Sequence, residues 1–302
     1  MRNLLSLNDL TAEEFRQIID SAIWTKKNPY HWSETLIGKQ IGLFFEKPST
    51  RTRISFEAAV NKLGGRAIVL KKDEIQISRG EPLKDTAIVL GRYLDGLVAR
   101  TNSHSTLEVF AEYSNIPIIN ALSDKFHPCQ AIADFMTIKE NNKDYETIKI
   151  CYLGDGNNNV CHSLLNACSM TKTNIFVCSP EKYGPDKTIV ENARSKGANI
   201  KITTDPEEAA DKADVFYTDV WVSMGQENER EQRLTDLKNY QLNDNLLKRG
   251  NNDCIVLHCL PAKKGEEITE NVMYSKNSKI FDQAENRLHT QKSLLHFFYY
   301  QT

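Results

Sequence analysis

Ser49, Thr50, Arg51, Thr52 and Arg53 follow one another directly after the apolar run 41–45 and the turn Glu46-Lys47-Pro48. A strand that leaves through Pro-Ser-Thr into a helix presents free backbone N–H groups and the positive end of the helix dipole. Three hydroxyls and two guanidiniums at the same point add donors suited to a phosphate, because the planar guanidinium fork donates two parallel hydrogen bonds. A plain helix cap beside surface arginines would need one hydroxyl, not three interleaved with two cations. The pattern G-x-x-x-x-G-K-[ST] is missing, which disfavours a nucleotide P-loop.

Other polar clusters stand at comparable places. Arg100 ends the run 96–100, and His127-Pro128-Cys129-Gln130 opens a helical stretch. His127 suits donation to a carbonyl oxygen or proton exchange near neutral pH, although a histidine before a helix, taken alone, reads as structural. Gly154-Asp155-Gly156-Asn157-Asn158-Asn159 departs from the dinucleotide spacing G-x-G-x-x-G at Asn159. It reads either as a turn or as a set of amides for a carboxylate or amide ligand. Asp219-Val220-Trp221-Val222-Ser223-Met224-Gly225 offers a carboxylate for an ammonium group and a hydroxyl beside it, with Trp221 and Met224 open to a reading as loop packing. His258-Cys259-Leu260-Pro261 brings a thiol that in isolation is an inert buried group, and Glu285-Asn286-Arg287 adds a further cation.

The elements that must position these groups alternate. Thr11 and Glu14 form a capping box for a first helix whose apolar positions Phe15, Ile18, Ile19, Ala22 and Ile23 recur at helical spacing until Asn28-Pro29. Short apolar runs at 41–45, 67–70, 96–100 and 118–121 predict strands in the first half. Runs at 148–153, 174–178, 199–203, 214–218 and 254–257 predict strands in the second. Between them, one helix closes at Leu63-Gly64-Gly65, one opens with a capping box at Ser105 and Glu108, and one begins at Pro128. This alternation predicts an α/β protein of two doubly wound parallel-sheet domains with helices on both faces. Such sheets bind ligands at the carboxyl ends of their strands, where every cluster above falls. The domain division is expected inside the helix after His127, giving 1–138 and 139–287. A final helix, 288–302, is expected to pack back on the first domain.

Composition excludes several classes. The 302 residues carry 38 Lys and Arg against 40 Asp and Glu, a net charge of −2, so no broad cationic surface for nucleic acid is expected. Hydrophobic residues at 40% and charged residues at 26% fit a soluble globular chain long enough for two cores. The seven cysteines are odd in number and form no C-x-x-C pair, which reads as free thiols in a reducing compartment. The histidines form no zinc-type cluster, the start Met1-Arg2-Asn3-Leu4 lacks an apolar signal core, and no apolar stretch is long enough for a bilayer. A cytoplasmic protein with no membrane contact, no metal and no cofactor is the expectation.

Taken together and in this order, the residues resemble the aspartate/ornithine carbamoyltransferase family over essentially the whole chain. Ser49-Thr50-Arg51-Thr52-Arg53 and the H-P-x-Q of His127 to Gln130 match the wider family. The D-x-W-x-S-M-G at 219–225 and the H-C-L-P at 258–261 match its ornithine branch. The resemblance implies a carbamoyl-phosphate-binding first domain and an ornithine-binding second domain. It implies that Ser49, Thr50, Arg51 and Thr52 hold the phosphate. Arg100 and His127, with Thr52, would polarise the carbamoyl carbonyl, Gln130 would engage the amide end, and Arg287 would approach the carbamoyl group. It further implies that Asn159 and Asp219 bind the amino-acid head with Ser223 and Met224, and that Cys259 and the Leu260 carbonyl lie near the side-chain amine. Three consecutive asparagines leave Asn158 as an alternative to Asn159, which is preferred because it stands four residues before Ser163. The catalytic set implied is Arg100, His127, Cys259 and Arg287. Family members are trimers or multiples of trimers with interface active sites, so the segment 73–84 is expected to reach a neighbouring site.

The implied reaction moves the carbamoyl group of carbamoyl phosphate to an amine, as in arginine metabolism. Carbamoyl phosphate carries its own good leaving group, so neither a metal nor a covalent intermediate is required. A neutral amine attacks the carbonyl, and the tetrahedral oxyanion forms near Arg100, His127 and Thr52. Three other readings stay open on sequence: a carbamoyltransferase for another amine such as putrescine, a nucleotide-binding oxidoreductase built on Gly154–Asn159, and a silent relative. The glycine fingerprint needed for the second is incomplete, and the cation set at Arg51, Arg100, His127 and Arg287 weighs against the third.

Overall fold

The computed structural model describes residues 2–223 and 225–300. Contacts divide the chain into two units, Met1–Met136 with Glu285–Thr302, and Thr137–Ala284.

In the first unit, β1 (Gln40–Phe45), β2 (Arg66–Lys71), β3 (Gly96–Arg100) and β4 (Ile118–Leu122) form a parallel sheet in the order β2-β1-β3-β4. Helices α1 (Ala12–Lys27), α2 (Thr50–Lys62), α3 (Leu83–Tyr93), α4 (His104–Tyr113) and α5 (Pro128–Glu140) connect and flank these strands. β1 is buried from Ile41 to Phe45, as expected of a strand covered on both faces. Phe44 meets Phe110 edge-on at 5.3 Å within the apolar cluster of β1, β3 and α4. Thr11 caps α1 by accepting from the Glu14 N–H, while the Glu14 carboxylate accepts from the Thr11 N–H, as the capping box predicts.

The second unit holds a five-stranded parallel sheet ordered β7-β6-β5-β8-β9. Its strands are β5 (Lys149–Leu153), β6 (Asn174–Cys178), β7 (Asn199–Thr203), β8 (Val215–Thr218) and β9 (Ile255–Leu257). The helices are α6 (Asn159–Thr171), α7 (Lys187–Ser195), α8 (Pro206–Ala210), α9 (Arg230–Leu237), α10 (Asp244–Leu247) and α11 (Glu270–Met273), and α12 (Ile280–Tyr300) closes the chain. The fold is therefore two parallel-sheet α/β domains with helices around each sheet. Among the described residues no helix is long and apolar enough to cross a membrane.

Two local expectations need correction. Helix α4 does not open at Ser105: its N-cap is Ser103, whose hydroxyl accepts from the Ser105 N–H, while the His104 N–H goes to Asp124 Oδ1 at 2.7 Å. The last helix begins at Ile280 rather than 288, so Glu285-Asn286-Arg287 lies inside it and not at its opening. Its early inward positions, Gln283, Asn286 and Arg287, are polar and buried, which hides the first turns from a search for apolar spacing.

The strand orders explain where ligands belong. Chain order reverses between β1 and β3 in the first sheet and between β5 and β8 in the second. At such a switch point the loops after neighbouring strands diverge and leave a crevice at the carboxyl ends.

Candidate active site

In the first unit, the loops after β1 and β3 bring Ser49 to Arg53 and Arg100 to the switch point. Ser49 is the N-cap of α2 by backbone conformation (φ −153°, ψ 115°), yet its side chain makes no capping hydrogen bond. The Ser49 hydroxyl instead accepts from Arg100 Nη1 at 3.4 Å. The first-turn N–H groups of α2 thus receive nothing from the residue that usually satisfies one of them, and the positive end of the helix keeps its pull on anions. Glu46 ties the two loops together: its N–H donates to the Arg100 carbonyl at 3.0 Å and its carboxylate accepts from the Asn102 N–H and from Lys72.

Thr52 is buried in the first turn of α2, and its hydroxyl accepts from Arg287 Nη2 at 3.4 Å. Arg287, 3% exposed, also donates from Nη1 to Gln130 Oε1 at 2.7 Å. Gln130 in turn donates to Asp134 Oδ1 at 2.8 Å, one turn along α5. A carbonyl oxygen of this kind has a second lone pair, so Gln130 Oε1 keeps capacity for one more donor while held by Arg287. His127 is buried beside α5, and its basicity is held well below the usual imidazole range, first by burial and then by the charges of Arg287, Arg100 and Arg51. It is therefore a neutral hydrogen-bonding group at physiological pH rather than a fourth cation. The loop before it is pinned by Asn120 and Ser123, both of which donate to the Phe126 carbonyl.

Arg53 is exposed and pairs with Glu57 at 3.8 Å, whereas Arg51 is half-buried. A cleft of about 990 Å³ opens beside Ser49, Thr50, Arg53 and Glu57, with Lys71, Lys72, Asp73 and Ser78 on its other walls. Two residues of the segment 73–84 thus line a cleft of their own chain.

In the second unit the loops after β5, β8 and β9 carry the remaining residues. Asp219 lies just past β8 and is 6% exposed; its Oδ1 accepts from the Val220 N–H at 2.8 Å and from the Cys259 thiol at 3.0 Å. Burial raises the Asp219 pKa from its ordinary value, against the nearby His258 and these two donors. A buried carboxylate with a remaining oxygen is suited to a cationic ligand group. Leu260 has a left-handed backbone (φ 60°), held by its N–H donating to His258 Nδ1 at 2.9 Å. That leaves the ring proton of His258 on Nε2, facing the buried Glu267 at 3.0 Å. Asp219, His258 and Cys259 offer ligand atoms within 4.8 Å of one another. Both ring nitrogens of His258 are already engaged, so the trio does not fit a metal centre.

The tandem asparagines separate by role. Asn158 is the N-cap of α6: its Oδ1 accepts from the Val160 and Cys161 N–H groups, both at 2.9 Å, and its amide donates to the Tyr152 hydroxyl and the Asp155 carbonyl. Asn159 is the first residue of α6 and only half-buried. Ser223 is half-buried and its N–H donates to Gln226 Oε1 at 3.0 Å. Met224 lies outside the described residues. Trp221 is loop packing against Gly154, where φ is +118° and a Cβ would stand 3.1 Å from the indole nitrogen.

Sequence reasoning missed the buried Asp134, Glu267 and Arg233, the last paired at 2.8 Å with Asp155 of the Gly154–Asn159 cluster. Asp134, one turn after Gln130 on α5, left a local signal, whereas Glu267 and Arg233 meet His258 and Asp155 only through the folding of the loops.

The comparisons with known proteins agree with one another. Residues 2–140 match the family model described as the carbamoyl-P binding domain of aspartate/ornithine carbamoyltransferase, and residues 146–298 match its Asp/Orn binding domain. The chain is 49% identical to an ornithine carbamoyltransferase of Archaeoglobus fulgidus, covering 98% of this chain and 96% of the relative. It is also 49% identical to one of Listeria monocytogenes, covering 97% and 94%. The solved ornithine carbamoyltransferase of Pyrococcus furiosus superposes with a TM-score of 0.94 at 44% identity, over 100% of this chain and 98% of that one.

Proposed function

The chain belongs to the aspartate/ornithine carbamoyltransferase family, and on that premise we propose that it transfers the carbamoyl group of carbamoyl phosphate to the side-chain amine of L-ornithine, giving L-citrulline and phosphate. The observation that carries this reading is the junction of β1 and α2. There a helix N-terminus without a side-chain cap, the hydroxyls of Ser49, Thr50 and Thr52, and the guanidiniums of Arg51, Arg100 and Arg287 stand in one unit with a neutral His127.

The assignment of roles follows from chemistry. Ser49, Thr50, Arg51 and Thr52 hold the phosphate, using backbone N–H groups at the start of α2 and the Arg51 charge. Arg100, His127 and Thr52 face the carbamoyl carbonyl and stabilise the oxyanion that develops on it. A neutral His127 serves here as a hydrogen-bond donor, which costs no proton at the moment of reaction. Gln130 takes the carbamoyl N–H through Oε1, and Arg287 orients both Gln130 and Thr52 while approaching the carbamoyl group.

In the second unit, Asp219 and Asn159 bind the α-amino-acid head with Ser223 and Met224, and Cys259 with the Leu260 carbonyl receives the side-chain amine. The amine must be neutral to attack, and loss of hydration in a closed site lowers its pKa. Attack gives a tetrahedral intermediate, the C–O bond to phosphate breaks, and phosphate departs with the amine proton. We further read the protein as a cytoplasmic enzyme of arginine metabolism that works as a homotrimer or a multiple of it, without a cofactor and without nucleic-acid or membrane partners.

The direct test is citrulline formation from carbamoyl phosphate with ornithine, aspartate or putrescine as acceptor. Citrulline from ornithine, with turnover at least about 100-fold above either other amine, supports the reading, a margin typical of sites that pair a substrate's polar groups. Carbamoylaspartate or carbamoylputrescine as the main product contradicts it.

A further inference from the structure

The groups proposed to bind ornithine hang on loops after different strands, so something must fix the distance between them. Arg233 on α9 is placed to do so. Its side chain is 8% exposed, and Nη1 donates to Asp155 Oδ2 at 2.8 Å and to the Trp221 carbonyl at 3.3 Å. Its Nε donates to Glu229 Oε2 at 2.9 Å, and the guanidinium lies 5.0 Å from the centre of the Tyr183 ring. Asp155 follows β5, Trp221 follows β8 and Tyr183 follows β6, so one cation joins the loops at the carboxyl ends of three adjacent strands.

Each contact leads to a proposed ligand. Asp155 Oδ1 accepts from the Asn157 N–H at 2.9 Å, and the Asp155 carbonyl accepts from the Asn158 amide and the Tyr152 hydroxyl. Asn158 caps α6, whose first residue is Asn159. Trp221, whose carbonyl Arg233 holds, stands between Asp219 and Ser223. We propose that Arg233, paired with Asp155, is a positioning residue that sets the separation of Asn159 from Asp219 and so the affinity and chain-length selectivity for the amino-acid substrate, without touching it. This rests on the ornithine reading above. An arginine suits the place because one planar fork serves a carboxylate, a carbonyl and an aromatic face at once, which an ammonium does not.

The test uses Arg233→Lys and Asp155→Asn in the full-length enzyme. Lysine keeps the charge toward Asp155 but loses the fork; asparagine keeps the oxygen that accepts from Asn157. The expected result is an ornithine KM raised about 10–100-fold, the scale of a ligand group misplaced by roughly an ångström. The carbamoyl-phosphate KM stays within about twofold, because its residues belong to the other unit, and kcat changes less than the ornithine KM. Preference for ornithine over lysine falls as well, and amide hydrogen exchange rises in both 154–159 and 219–223. Should Arg233→Lys fail to fold, Asp155→Asn alone decides. An unchanged ornithine KM with unchanged exchange in the two loops overturns the proposal, as does an equal loss for both substrates. The two readings fail separately: a wild-type enzyme that makes no citrulline removes the ornithine assignment, whereas loops that stay protected in the variants remove the clamp.

Discussion

Ser49 and Arg100 are joined at 3.4 Å through the serine hydroxyl, although Ser49 occupies the N-cap position of α2, where that hydroxyl would ordinarily accept from the helix backbone. The side chain has been turned from helix capping to the loop after the neighbouring strand. Replacement of a working serine cap by alanine costs about 1 kcal/mol of stability. Ser49→Ala is therefore expected to change stability by less than about 0.5 kcal/mol, the range of substitutions that remove no structural feature. The same variant is expected to lower kcat/KM for carbamoyl phosphate by roughly tenfold, the worth of one charge-assisted hydrogen bond. Denaturant unfolding and steady-state kinetics on one preparation check both halves.

The asparagine pair is expected to divide stability from binding. Asn158→Ala removes the cap of α6 and its two accepted N–H bonds, and should cost about 1–2 kcal/mol of stability. Asn159→Ala should leave the unfolding midpoint nearly unchanged and raise the ornithine KM about tenfold or more, as loss of a polar substrate contact does. The reverse pattern would move the ligand assignment to Asn158.

Asp219 illustrates a conflict between function and stability. Its pKa is raised by burial, so the folded state holds the proton more tightly than the unfolded chain. The resulting penalty on folding sets in above about pH 4, where the unfolded carboxyl ionises, and is complete once pH passes the raised folded value. Asp219→Asn keeps an oxygen for the Val220 and Cys259 donors and carries no charge. Its thermal midpoint is expected to exceed that of the wild type at pH 7 and to match it near pH 3.5. Ornithine kcat/KM should meanwhile fall about 100-fold, as for truncation of one partner of a buried charge contact.

His127 titrates in the opposite sense. Burial and three guanidiniums lower its pKa in the folded state, so acid protonates the unfolded chain first and favours unfolding. Wild-type stability relative to His127→Gln should decline as pH falls below about 6.5, the ordinary imidazole value. At pH 7.5 the same substitution should cut kcat by about 10²-fold through loss of an oxyanion donor. Parallel pH-dependent unfolding of the two proteins checks the sign.

Much of this architecture was legible before any coordinates. Buried parallel strands appear as short apolar runs, which is why 96–100 and 174–178 coincide with β3 and β6 to the residue, and the alternating isoleucines of 199–203 mark the more exposed edge strand β7 equally well. Strand order was not legible, since the pairings of β1 with β3 and of β5 with β8 join segments far apart in sequence. The motif at 49–53 suggested the anion site proposed above, but not that Arg53 would pair with Glu57 while Arg287 reaches Thr52 from α12. Arg233 gave no sign at all. Its partner Asp155 stands 78 residues earlier, and only the folded sheet brings their loops together.

The phosphate cradle at the start of α2 is the claim on which the rest depends, and titration calorimetry of carbamoyl phosphate into wild type and Arg51→Ala tests it most directly. Loss of the Arg51 guanidinium is predicted to weaken binding by about 2–5 kcal/mol, the cost of removing one partner from a desolvated charge pair. Equal affinity in the two proteins would contradict the account.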